Sequence, residues 1–149
     1  MEISNQKRSQ KIKRGFNLGV VLLLLPILLF VWQEMDLFAL INGGLLIIFI
    51  IVFQIVGLDY VQYESTNEMI KVRYYPIISF FGKEYNSIEF RKVLLHKAEV
   101  KKAFLFSDLF LEVKTKRGIA EYPSVSLAAM SKRDINAIKA DLSQYLMEK

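Results

Sequence analysis

Polar and apolar residues are sharply segregated along this chain. Phe16 to Trp32, FNLGVVLLLLPILLFVW, is seventeen residues without a charge, and Leu37 to Leu58, LFALINGGLLIIFIIVFQIVGL, is twenty-two more. As helices rising 1.5 Å per residue they measure about 26 and about 33 Å, against a hydrocarbon core of about 30 Å. Gly15 and Gln33 extend the first at its interfaces. Neither run carries the polar stripe of a helix half-buried in a soluble protein. The first also lacks the small-residue cleavage pattern of a signal peptide, and a second apolar run follows at once. The pattern predicts a transmembrane hairpin within residues 15–58, with helices over about 16–32 and 37–58.

The charges around the hairpin orient it. Only Gln33, Glu34, Met35 and Asp36 separate the spans, a short acidic turn without Lys or Arg. The segment 1–14 holds Lys7, Arg8, Lys11, Lys13 and Arg14 against one acid, Glu2. Basic short flanks stay cytoplasmic, so this reading places both termini inside and the Glu34 turn outside a cytoplasmic (inner) membrane, with the chain multi-pass.

Within the spans, Gly15 and Gly19 form a GxxxG, and Ala39 and Gly43 repeat the small-xxx-small spacing, which lets backbones approach closely. The same glycines also fit the ordinary abundance of Gly in membrane helices. Asn17 and Gln54 fall at similar depths near the inner leaflet and Asn42 near the outer one; polar groups in hydrocarbon seek partners, either within the hairpin or on another subunit. No ionisable residue lies inside either span, which argues against a proton relay or ion path.

From Asp59 onward the period becomes two. Tyr60 to Glu64 reads as a strand, Thr66 to Glu68 as a turn and Met69 to Tyr75 as a second strand, with Ile70, Val72 and Tyr74 alternating with Lys71, Arg73 and Tyr75. Further strands are expected over Lys83–Asn86, about Phe90–Val100 and Leu109–Thr115. KTKRG reads as a hairpin turn with Gly118 free to take positive φ, and Ile119 to Val125 as the returning strand. The period then shifts to helical: Ser131 with Asp134 resembles a capping box, and Ile135, Ile138, Leu142 and Tyr145 share one face. The expected fold class is α+β: a two-helix hairpin, then in residues 59–149 a bent antiparallel sheet closed by a C-terminal helix.

Residues 60–146, through NEMIKVRYY, SIEFRKVLLHKAEV, LFLEVKTKRGIAEYPSV and the last helix, resemble the bacterial pleckstrin-homology-like (PH-like) domains of small membrane-anchored proteins. Members of that family commonly join such a domain to one or more transmembrane segments. The resemblance implies a binding or assembly module and supplies no catalytic motif.

Composition narrows the chemistry. The chain has 149 residues, no Cys and one His. Thiolate metal sites, disulfides and cysteine nucleophiles are thereby excluded. His96 stands without an accompanying nucleophile pattern, acids are scattered singly, and no P-loop or GxGxxG occurs. No catalytic, cofactor-binding or metal-ligating residue is expected, and the protein reads as a non-enzyme.

Two groups of residues remain as candidates for contact. Arg91, Lys92, Lys97, Lys101 and Lys102, with Lys116 and Arg117 at the hairpin tip, could meet anionic headgroups at about 1 kcal/mol each. Glu89, Glu99, Glu112 and Glu121 interleave with them, and residues 59–149 carry fifteen basic against twelve acidic residues, the balance of a solvated face. That charge is too small for nucleic-acid binding. Phe80 and Phe81, and Phe104 and Phe106, are either core or an exposed patch for a partner or the headgroup region. The leading expectation is an accessory or scaffold protein whose domain binds another protein or another copy of itself at the membrane. The alternative is an anionic-lipid sensor.

Overall fold

The computed structural model describes residues 1–80, 82, 84–103 and 106–147. Strand β1 (Glu2–Ser4) leads into helix α1 (Gln6–Trp32), which is followed by helix α2 (Asp36–Ile55). Strands β2 (Asp59–Ser65), β3 (Met69–Pro76) and β4 (Asn86–Arg91) come next, then a single 3-10 turn (Lys92–Leu94). The chain finishes with β5 (Leu95–Ala103), β6 (Phe106–Thr115), β7 (Gly118–Glu121), β8 (Val125–Ser126) and helix α3 (Lys132–Met147). The α+β layout expected from the sequence is the one observed, and both N-terminal helices are long and apolar enough to cross a membrane.

The two helices are joined by a tight reversal. Met35 N–H donates to the Phe30 carbonyl at 2.9 Å and Glu34 N–H to the Val31 carbonyl at 3.2 Å, the paired bonds of a Schellman cap. Glu34 therefore sits in the left-handed region at φ 57°, a position that usually falls to glycine. Phe30 and Phe38 pack across the reversal with ring centroids 5.7 Å apart. Helix α1 runs on unbroken through Pro26.

At the other end, Gly57 takes φ 58° and turns the chain from α2 into β2. Its N–H donates to the Gln54 carbonyl at 3.2 Å, and Ile77 N–H then donates to the Leu58 carbonyl at 3.0 Å, so pairing with the sheet begins at once.

The strands form two antiparallel sheets, β1-β2-β3-β4 and β5-β6-β7 with β8 also on β6, where the sequence pattern predicts a single bent one. The difference lies in the stretch read as one strand over Phe90–Val100. It breaks at Lys92–Leu94, where the 3-10 turn carries the chain from the first sheet to the second. Of the strand expected over Lys83–Asn86, Asn86 alone is in one, as the start of β4; Glu84 and Tyr85 precede it outside any strand, and Lys83 lies outside the described residues.

Alternation explains the core. Val61 and Tyr63 from β2, Ile70 and Val72 from β3, and Ile88 and Phe90 from β4 point inward to meet Leu109, Leu111 and Val113 of β6. Helix α3 covers them with Ile135, Ile138 and Leu142, the face read from the sequence, with Tyr145 packed at its margin. Ser131 caps that helix as expected: its hydroxyl accepts the Asp134 N–H at 3.1 Å and donates to the Asp134 carboxylate at 2.7 Å. Tyr63, wholly buried, donates its hydroxyl to Asp141 at 2.6 Å and so ties β2 to α3.

Candidate functional site

The feature that most constrains function lies where the apolar helices meet the sheet. Strand β1 pairs with β2 antiparallel, Glu2 opposite Glu64 and Ser4 opposite Gln62. The next residue, Asn5, is 4% exposed and continues the pairing with its side chain. Its Nδ2 donates to the Asp59 carbonyl at 2.9 Å, and its Oδ1 accepts the Val61 N–H at 2.9 Å and the Ser9 hydroxyl at 3.1 Å. Asn5 holds the N-cap position of α1, yet its side chain makes no cap bond there and instead fastens the helix to β2. One turn on, Arg8 donates to the Met130 carbonyl at 2.8 Å.

The segment read as a basic N-terminal flank is consequently part of the folded head, and α1 begins ten residues before the apolar run. Both ends of the helical hairpin are rooted in neighbouring strands, α1 after β1 and α2 before β2.

Where the hairpin meets the sheet, α1 presents Gln6, Ser9, Gln10, Lys13 and Asn17 at helical spacing along a groove. The opposing wall is β2 and β3. Tyr60 lies directly across from Tyr75, their rings stacked with centroids 4.6 Å apart, and Tyr85 packs on Tyr75 at 5.0 Å. Between α1 and these tyrosines is a cleft of about 210 Å³. It continues through Lys13 and Ile77 into a second hollow of about 190 Å³, walled by Phe16, Ile78 and Phe80. On the far side of Tyr60 and Tyr75 a third, of about 440 Å³, is lined by Arg73, Tyr74, Tyr85 and Asn86. Lys13 and Arg73 line these hollows and no carboxylate does, among the described residues. Burial raises the Tyr75 pKa, with Tyr60 and Tyr85 adding to the effect, so its hydroxyl stays protonated.

Phe80 links the domain to the hairpin. Its ring stands edge-on to Phe16 at 6.3 Å, and Phe16, 6% exposed, stacks on Phe49 at 5.7 Å and meets Phe53 at 5.1 Å. Gly19 belongs to the same cluster: a Cβ there would stand 2.5 Å from the Phe49 ring. The ring is held between Phe16 and Phe53 and has little room to swing aside. Gly19→Leu is expected to cost about 1–3 kcal/mol of overpacking, read as a lower melting temperature of the detergent-solubilised chain. Adding Phe49→Ala should recover most of the loss, and a single substitution without effect would contradict this packing.

The other residues singled out by their spacing are distributed as follows. Gly15 and Gly43 have open space where a side chain would start, so of the three glycines in these motifs Gly19 alone shows a close approach. Ala39 and Asn42 are half-buried on α2, while Asn17 and Gln54 are exposed and make no hydrogen bond to one another. Phe81 and Phe104 lie outside the described residues, and Phe106 is half-buried in β6.

The basic candidates are dispersed. Lys92 is 8% exposed, donates to the Tyr145 hydroxyl at 2.6 Å and does not reach the surface with the others. Lys97 pairs with Glu99 at 3.3 Å and Glu112 at 3.9 Å, and Lys101 covers the Phe110 ring at 4.9 Å. Lys102 follows Lys101 in an extended strand and so belongs to the opposite face. Arg91 is exposed at the end of β4, and Lys116 with Arg117 forms the exposed turn after β6. His96 is exposed at a register shift between Leu95 and Lys97.

Sequence reasoning passes over Asn5, Ser9 and the Tyr60–Tyr75–Tyr85 stack. A three-residue strand is too short to show alternation, and the tyrosines meet only once β2, β3 and the loop after Pro76 are folded together. No family model matches the chain, and neither a curated protein nor a solved structure matches it.

Proposed function

We propose that the chain is an integral protein of a cytoplasmic membrane, both termini inside, and that its head is a PH-like, non-enzymatic assembly module. The head would bind a protein partner or a second copy of the chain at the inner face. The observation that carries this reading is the rooting of both hairpin ends in adjacent strands. A head so attached cannot swivel freely on a linker, and it presents one fixed surface to the cytosol. Five basic residues before the apolar run and none in the Glu34 turn support the orientation.

The end of the head away from the hairpin carries exposed apolar side chains suited to such contact. Met69 begins β3 there, and Val93, 71% exposed, and Leu94 stand in the 3-10 turn between the sheets. The mixed charges around Lys97 and Glu112 favour an ordinary solvated face for the second sheet.

Extraction of the full chain in mild detergent, followed by native mass measurement, is expected to give a species heavier than one chain. Val93→Asp, a surface change, should return it to a single chain while the melting temperature stays within about a degree or two. A wild-type chain that is strictly monomeric and brings no protein with it would remove the assembly reading.

A further inference from the structure

We propose that the groove between α1 and the tyrosine-bearing strands seats one anionic phospholipid of the surrounding leaflet. Its phosphate would lie at Lys13, and its upper acyl chain against Phe16, Ile78 and Phe80. This rests on the reading of the helices as membrane spans and names a ligand for the junction.

The polarity of the groove runs the way a lipid does. Its apolar end abuts the Phe16, Phe49 and Phe53 rings of the hairpin, and its polar end opens toward Gln10, Lys13 and Tyr60 on the head. Depth agrees. Phe16 opens the charge-free run, and Lys13 stands three residues earlier, about 4.5 Å further along the helix. That places its ammonium at the level of phosphates when Phe16 is at the top of the hydrocarbon. Lys13 makes no ion pair among the described residues, and the hollows it lines hold no carboxylate to compete with a phosphate. Phe80 and Tyr85, 53% and 70% exposed, stand beside the groove, where aromatic rings characteristically sit at a headgroup level. The groove is continuous with the spans, so the medium that faces it is the bilayer edge. A protein would have to displace that edge to enter.

The test uses the full chain in a neutral detergent, with native mass spectrometry during titration with phosphatidylglycerol or phosphatidylcholine. One retained phosphatidylglycerol per chain is expected, with phosphatidylcholine held several-fold more weakly. Lys13→Gln should weaken phosphatidylglycerol retention about fivefold, the loss of one lysine–headgroup contact, and Lys13→Arg should restore it. Lys139→Gln, an exposed change on α3, should leave it unchanged.

Equal retention of both lipids, an unaltered Lys13→Gln variant, or displacement by soluble glycerol phosphate would each overturn the proposal. So would a co-purifying protein that is released by Lys13→Gln. These failures leave the membrane reading intact, because they concern a chain that still requires detergent. Recovery of the chain in the aqueous fraction would instead remove both.

Discussion

Asn5→Ala is expected to lower the stability of the detergent-solubilised chain by about 3 kcal/mol, a large share of what a small domain has. The reason is local. Alanine leaves the Val61 N–H and the Asp59 carbonyl without the partners that the buried amide supplies, and each such orphaned group costs about 1–3 kcal/mol. The Asn5 backbone N–H still donates to the Val61 carbonyl at 3.2 Å, so the effect belongs to the side chain. Ser9→Ala removes only the 3.1 Å hydroxyl bond and should cost about 1 kcal/mol or less. Hydrogen exchange adds a second readout: the amides of β1 and of Val61 should lose protection in Asn5→Ala while those of β6 keep it. Equal melting of Asn5→Ala and wild type would mean that α1 is not fastened to the sheet through this residue.

That clamp also marks the limit of what the sequence discloses. The apolar runs are legible because length and lack of charge alone define them. The core of the head is legible for a related reason: alternation in β2, β3 and β6 and the helical spacing of Ile135, Ile138 and Leu142 are each local patterns. What depends on contacts between distant residues is not. Nothing in EISNQ announces that three residues pair with β2 some sixty positions later. Arg8 and Lys13 look alike as basic residues of a flank, yet Arg8 reaches the Met130 carbonyl and Lys13 lines the groove. Lys92, read with its surface neighbours, is buried because the 3-10 turn it opens folds it toward Tyr145. The tyrosine stack shows the same limit, since Tyr60, Tyr75 and Tyr85 become neighbours through strand register and a loop return.

Asp59 provides the second large effect, and it depends on pH. It opens β2 immediately after the hairpin, on the inward-facing side with Val61 and Tyr63. Burial raises its pKa from 3.8 to about 6; the Ser126 N–H, which bonds its carboxylate, opposes the shift, and the nearby charge of Asp108 adds to it. A raised value means that the folded chain holds a proton that the unfolded chain has already released between about pH 4 and 6. Stability from this group is thus fully present below pH 4 and is lost as the pH rises through 6. After allowance for partial solvent exposure, the loss is about 2 kcal/mol. Asp59→Asn keeps an oxygen to accept the Ser126 N–H and carries no charge. The variant should therefore be about 2 kcal/mol more stable than wild type at pH 7.5, and the two should converge near pH 4. Denaturation of both chains across this range, in a detergent without titrating groups, measures the difference directly. A gap that stays constant with pH would show that the carboxylate is as well solvated in the head as in the unfolded chain. A gap that widens toward acid would reverse the assignment, making the charged form the one that the fold prefers.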